Sequence, residues 1–323
     1  MKRIVSLLPA ATEWIYAFGA GEHLVGRSHA CDYPPEVADV PAVTRSNIDT
    51  DTDSAEIDAD VRRRLNEGLS LYEVDLERLE ALDPDILVTQ DQCNVCAVSP
   101  DALEEWLADE ISEQVELLSI APVTLKQVFD AALRIGRAID RLEAAMHVIA
   151  SGERRLQRIM NQLGIDRTGT LQGRSRPSVL CIEWMDPPMA AGHWTPDIVE
   201  KAGGRNVLGR EGEPSHYISW DEAAAADPDV LALMPCGYEL AETRANLQTC
   251  VDHPAWQTVR AVQEDRVFLI DGSAYFNRPG PRLYRSIELM AAVLHPDRMN
   301  DMRSSIEDWE LQPYRSPASA PRS

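Results

Sequence analysis

The sequence predicts an α/β protein built as two lobes, each around a parallel sheet. Three observations carry that expectation. At 323 residues the chain is too long for one ordinary domain and suits two lobes of roughly 150 residues each. Short β-branched runs alternate with helical patterns, which is how βα units and parallel sheets are written. The chain also echoes itself. LDPDILVTQDQC at 82–93 returns as ADPDVLALMPC at 226–236, and GAGEHLVG at 19–26 returns as AGGRNVLG at 202–209, in the same order. The first echo reads as a helix end, Asp-Pro-Asp, a buried strand, then polar residues and a cysteine.

Taken in order, Ile4 to Leu8 form the first strand. The start MKRIVSLLPAATEW is basic, but its apolar run IVSLL is shorter than a secretory signal requires. The expectation is therefore a cytoplasmic protein, or an extracytoplasmic one if the true start lies upstream. The first lobe spans 1–122 and holds an acidic insertion at about 46–75 with no counterpart in the second half. A bridging helix follows over 123–164. Thr124 and Gln127 make a capping-box pattern, apolar residues from Leu125 to Ile149 recur at helical spacing, and Gly164 is a stop. One continuous helix of about 40 residues would run ~60 Å; two helices broken near Gly152 fit the pattern as well. A polar linker at 165–177 leads to the second lobe, 178–297. The tail 298–323 reads as partly disordered.

The net charge of −22 repels nucleic acid and anionic lipid, and no apolar run reaches the ~20 residues of a membrane span. Phosphate-loop, dinucleotide, nucleophile-elbow and HExxH motifs are absent. Binding explains this better than catalysis does.

Open parallel sheets take ligands beyond the carboxyl ends of their strands. The residues just past the expected strands there are His29 and Cys31, Cys93 and Cys96, then Met189, His193 and Trp194, then Cys236, and finally Tyr275, Phe276 and Arg278. Thiolates and imidazoles are ligands for zinc or iron. A single CxxC at Cys93 and Cys96 is a weak signal, however. A redox pair, part of a metal site and the rim of a ligand pocket all remain open, although nothing else resembles a thioredoxin-like unit. Cys181 lies inside a strand and reads as a small core residue.

The stretches SLLPAATE, SHACDYPPEV, DLERLEALDPDILVTQ, DPPMAAGHWTPDIVEKAGGRNVLG, ISWDEAAAADPDVLAL and SAYFNRPGPRL occur in this order. With them the chain resembles the helical-backbone class of substrate-binding proteins that serve ABC importers of cobalamin and iron-siderophore complexes, and most of all the cobalamin carriers. The resemblance implies two Rossmann-like lobes joined by a long rigid helix, with a ligand cleft between them. It implies pocket positions in the loops 28–31 (His29, Ala30), 44–46 (Arg45), 189–194 and 215–217 (Tyr217), and at Tyr275 and Phe276. It also implies that Glu77 and Asp221 face arginines of a permease; both are equally readable as acids favoured at a helix start. Arg45 or Ser46, and Ser215, stand where the carriers have tryptophans. Trp194, Tyr217, Tyr275 and Phe276 are expected to supply the flat apolar contact instead, with Arg45 and Arg278 meeting ligand oxygens.

The leading expectation is capture of cobalamin, another corrinoid or a related metal complex (iron-siderophore, haem) without chemistry and without a required cofactor, coupled to ABC-type uptake. The protein is expected to be a monomer outside the membrane, with no nucleic-acid partner. The competing expectation is a cytoplasmic metalloprotein or enzyme that holds zinc or iron at Cys31, Cys93, Cys96 and Cys236.

Overall fold

The computed structural model describes residues 2–50, 52–67, 69–90, 115–166, 171–173 and 175–315. The chain divides into two compact units. The first is Met1–Pro122 with Lys126–Gly152, and the second is Val123–Leu125 with Glu153–Ser323.

The first unit contains β1 (Ile4–Ser6), α1 (Pro9–Ala17), β2 (Leu24–Arg27), β3 (Thr44–Ser46), α2 (Ser54–Asn66), β4 (Tyr72–Val74), α3 (Leu76–Ala81), β5 (Ile86–Gln90) and β6 (Glu116–Ile120). Among the described residues β2, β1, β5 and β6 pair in that order, all parallel. Every residue of β1 and β5 is buried, as expected of strands covered on both faces. Val5, Leu7, Val43, Leu79 and Leu87 pack into one cluster. Burial of each such side chain stabilises by about 1.5–3 kcal/mol. The acidic stretch starts α2 through Asp53, whose side chain accepts from Glu56 N at 2.9 Å. It returns as β4, antiparallel to β3 in a separate ribbon.

The helical stretch after β6 differs from the sequence expectation. It forms α4 (Leu125–Ala138) and α5 (Leu142–Leu163), so the break falls at Asp140 and not at Gly152. Asp140 adopts φ 56°, the left-handed conformation that ends helices and that Asp tolerates better than most residues. Gly136 has no side chain to keep Ala145 away, and an added Cβ would sit 2.5 Å from the Ala145 Cβ. Gly152 is buried inside α5, which spans about 33 Å and contributes residues to both units.

The second unit contains β7 (Ser178–Met185), β8 (Pro188–Ala190), α6 (Thr195–Lys201), β9 (Arg205–Asn206), β10 (His216–Tyr217), α7 (Trp220–Ala225) and β11 (Val230–Leu233). After these come α8 (Leu240–Val251), α9 (Arg260–Gln263), β12 (Val267–Ile270), α10 (Leu283–Leu294), α11 (Asn300–Arg303) and β13 (Leu311–Tyr314). The parallel strands run β9, β7, β11, β12, which is the order of the first unit repeated. β7 is long enough to pair with β9 at its start and with antiparallel β8 near its end; β10 then pairs with β8. β13 closes the far edge against β12, so Leu311–Tyr314 of the polar tail belong to the sheet. The interior holds an edge-on pair, Trp220 and Trp256, with ring centroids 5.0 Å apart.

The two sequence echoes have a structural cause at the amino ends of the strands. Gly19 and Gly203, at φ 70° and 80°, end the helices that precede β2 and β9. Asp83 and Asp227 do the same at φ 43° and 47° before β5 and β11. The second acid of each Asp-Pro-Asp then fastens the neighbouring strand. Asp85 Oδ2 accepts from Arg3 N at 2.6 Å, and Asp229 Oδ2 accepts from Ser178 N at 2.7 Å. An arginine covers the helix end in both units: Arg3 donates to Leu82 O and Arg260 to Asp227 O. The echo is thus a fastening of the sheet, at the amino ends of its strands.

Candidate functional site

In the first unit, the chain leaving β2 is tied into the sheet by Ser28 N, which donates to Ser6 O at 2.8 Å. Thr44, at the start of β3, organises residues 28–30. Its Oγ1 accepts the His29 backbone N–H at 2.9 Å, lies 2.7 Å from His29 Nδ1 and donates to Ser28 Oγ at 3.3 Å. Ser28 Oγ in turn accepts from Ala30 N at 3.2 Å. Tyr72, from the acidic stretch, sets its ring 5.4 Å from the half-buried His29 ring. Burial, together with nearby Arg27, holds the His29 pKa below the usual imidazole value, so the ring is neutral at pH 7. Arg45 is exposed and paired with Glu73 at 2.5 Å. So exposed a pair is worth little and exchanges readily.

In the second unit, residues 192–194 form the corresponding corner. Gly192 N donates to Ser215 Oγ at 2.9 Å, and His193 N donates to Glu213 O at 2.7 Å. An added Cβ at Gly192 would run into the backbone of Glu213 and Pro214, so no other residue fits there. His193 adopts φ 49° and stacks on Trp194, with ring centroids 5.6 Å apart. Burial lowers its pKa as well. Met189 and Tyr217 are cross-strand partners on β8 and β10, and Tyr217 is 46% exposed. Neither His29 nor His193 uses all its ring nitrogens: His29 Nε2 and both nitrogens of His193 have no partner among the described residues, and none is sealed from solvent.

The structure corrects the expected aromatic wall. Phe276 is 0% exposed and Tyr275 5%. Phe276, at φ 64°, has its N–H bonded to Ser286 Oγ and its carbonyl to Trp194 Nε1 at 2.5 Å. Tyr275 donates to Glu310 at 2.8 Å and lies between the Trp309 ring and the Arg282 guanidinium. These rings pack the unit and brace its loops, whereas Tyr217 stays open beside partly exposed Met189. Arg278 donates to Ser273 Oγ at 3.1 Å, and Asn277 ties the same loop to Met234 O.

Of the four expected thiol ligands two are described, one in each unit. Cys31 is buried beside Thr12 Oγ1 at 3.1 Å, and Cys236 continues the pairing along β7 through its N–H to Glu183 O. Cys93 and Cys96 lie outside the described residues. Among the described residues no group of three or more His, Cys, Asp or Glu is placed to hold a metal ion. Cys181 is an interior strand residue whose thiol burial pushes up, away from the thiolate that metals require.

Glu77 and Asp221 occupy equivalent positions, the second residue of α3 and of α7. Asp75 and Ser219 cap those helices by accepting from the third residue's N–H. Both acids are exposed and neither enters an ion pair among the described residues. Sequence reasoning placed Thr44 in a pocket loop without its part as support of His29, and missed Tyr72 behind His29 and Glu310 with Arg285 behind Tyr275. A lone threonine or a tail glutamate carries no local pattern that announces such a role.

The periplasmic binding protein family model matches residues 4–274. A vitamin B12-binding protein of Vibrio cholerae serotype O1 is 23% identical over 301 residues, covering 91% of this chain and 89% of the relative. An uncharacterized ABC transporter substrate-binding lipoprotein of Bacillus subtilis, YvrC, is 22% identical over 301 residues, covering 93% and 82%. A periplasmic heme binding protein from Pseudomonas aeruginosa aligns with TM-score 0.68 at 20% identity over 92% of this chain and 93% of the other. The periplasmic vitamin B12 binding protein BtuF of Vibrio cholerae aligns with TM-score 0.64 at 21% identity over 91% and 96%.

These findings overturn the cytoplasmic expectation: the matching family is that of periplasmic binding proteins, YvrC is named a lipoprotein, and both aligned structures are of proteins named periplasmic. The segment IVSLL, taken as too short for a signal, has β1 at its start and says nothing about compartment. The metalloprotein or enzyme alternative finds no support either. Among the described residues no helix is long and apolar enough to cross a membrane. The matched span runs from β1 through β12, and the chain belongs to the periplasmic binding protein family of substrate-binding proteins.

Proposed function

We propose that this protein captures a metal complex of the tetrapyrrole class, a corrinoid or haem, and delivers it to an ABC permease without altering it chemically. The observation that carries the reading is the pair of neutral, solvent-reaching imidazoles, His29 and His193, each at the carboxyl-end loops of one unit. Two relatives named for vitamin B12 and heme support the ligand class. Tyr217 and Met189 would give apolar contact, and Arg45 and Arg278 would meet peripheral carboxylate, amide or phosphate oxygens. Ferric catecholate siderophores, in the same broad class of metal cargo, fit less well, since Arg45 and Arg278 are few cations for so anionic a chelate. Glu77 and Asp221 would face the permease. Their repeated, exposed placement at helix starts supports this.

Isothermal titration of the purified chain with hemin, cyanocobalamin and a ferric catecholate siderophore tests the ligand. Micromolar or tighter binding of a tetrapyrrole is expected. Heat from the siderophore alone, or from none of the three, would refute the reading.

A further inference from the structure

The described residues offer no three-ligand group for a bare metal ion, yet they hold one imidazole prepared as a single metal ligand. A tetrapyrrole supplies four equatorial donors itself, so its metal asks the protein for only one more. His29 is built for that task. Thr44 Oγ1 accepts the His29 backbone N–H at 2.9 Å and gives its own proton to Ser28 Oγ at 3.3 Å. Once Thr44 has given its proton to Ser28, a proton on Nδ1 is what satisfies the 2.7 Å contact between Thr44 Oγ1 and that nitrogen. Nε2 is left with a bare lone pair, without a partner among the described residues and open to solvent. An imidazole held through one nitrogen by a fixed acceptor, with the other nitrogen free, is how proteins orient a metal-binding histidine. The Tyr72 ring, 5.4 Å away, limits its rotation. Burial and Arg27 keep it unprotonated at pH 7. His193 differs, since neither of its ring nitrogens is held.

Resting on the tetrapyrrole reading above, we infer that His29 Nε2 is the axial ligand to the metal of the bound complex, with Thr44 as its positioning residue. In the binding step the Nε2 lone pair forms a bond to iron or cobalt and an exchangeable axial water leaves. No electron is transferred and no proton is lost from His29.

The test titrates hemin, aquocobalamin and metal-free protoporphyrin IX into the full chain and into His29→Ala, Thr44→Val and Thr44→Ser, following the absorption spectrum and the ferric electron paramagnetic resonance signal. Wild type is expected to give an imidazole-ligated spectrum with hemin or with aquocobalamin, and the arm that responds identifies the metal. Thr44→Val should weaken that binding on the order of 10-fold, with Thr44→Ser restoring it. His29→Ala should weaken it further and lose the spectrum, added imidazole should return it, and protoporphyrin IX binding should stay within about twofold. An unchanged spectrum in His29→Ala overturns the inference, as does an equal loss of hemin and protoporphyrin IX; both outcomes leave the tetrapyrrole reading standing. If none of the three compounds binds wild type, the reading falls and the inference falls with it.

Discussion

Asp229 and Asp85 hold the same place in the two sheets, but their loss should not weigh equally. In Asp229→Ala, Ser178 N loses its acceptor at 2.7 Å, Ser178 Oγ loses one at 2.8 Å, and Arg260 Nη1 loses a carboxylate oxygen at 2.7 Å. Ser178 is only 2% exposed, so water does not replace what is removed from its N–H. A hydrogen bond to a charged group is worth about 1.5–3 kcal/mol, and a buried donor left unmet costs about 1–3 kcal/mol. Because these overlap, the expected loss is about 3 kcal/mol. With a urea slope of roughly 2–3 kcal/mol per molar, the unfolding midpoint falls by about 1 M. Asp85→Ala removes a single bond to the N–H of exposed Arg3, which water can solvate, so its midpoint should barely move. Urea unfolding followed by far-ultraviolet circular dichroism reads both variants. Equal shifts, or a shift for Asp85→Ala alone, would refute the reasoning.

Acid adds a second arm. Burial raises the Asp229 pKa, but the Ser178 and Arg260 hydrogen bonds outweigh it and leave the folded value below the ordinary 3.8. A depressed acid stabilises above its unfolded value and loses that contribution as the pH falls through the folded one. The gap between wild type and Asp229→Ala should therefore be full at pH 7 and narrow below pH 3.8.

Arg285 holds buried Glu310 through two bonds of 2.8 and 2.6 Å, so Arg285→Ala should cost about 3 kcal/mol and lower the melting temperature by roughly 6–12 °C in a thermal scan. Gly192→Ala drives a Cβ into the backbone of Glu213 and Pro214. It should cost about 1–3 kcal/mol and, by moving His193 and Trp194, weaken hemin or cobalamin binding in calorimetry. Glu77→Ala and Asp221→Ala should leave ligand binding unchanged and lower the stimulation of the permease ATPase in reconstituted vesicles, most of all when combined.

Much of the architecture was legible because it rests on local patterns. Continuous apolar runs marked the strands, the two Asp-Pro-Asp words marked equivalent helix ends, and the rule of strand carboxyl ends led to His29 and His193. The helix break was harder to read. The apolar spacing continues through Asp140, and the left-handed turn depends on Gly136 meeting Ala145 in space, which periodicity does not register. The aromatic residues misled for a related reason. Sequence position shows that Tyr275 and Phe276 come after β12, but not that Glu310, 35 residues later, returns to bond the tyrosine hydroxyl. Nor does loop position show that the Cys31 side chain lies buried against Thr12.

The matched anchoring of both sheets by Asp85 and Asp229 has an evolutionary corollary. Because the stitches that keep each lobe in register sit at the amino ends of the strands, mutations can rework the loops at the carboxyl ends without unpicking the scaffold, and His29 and His193 stand on the side left free to vary.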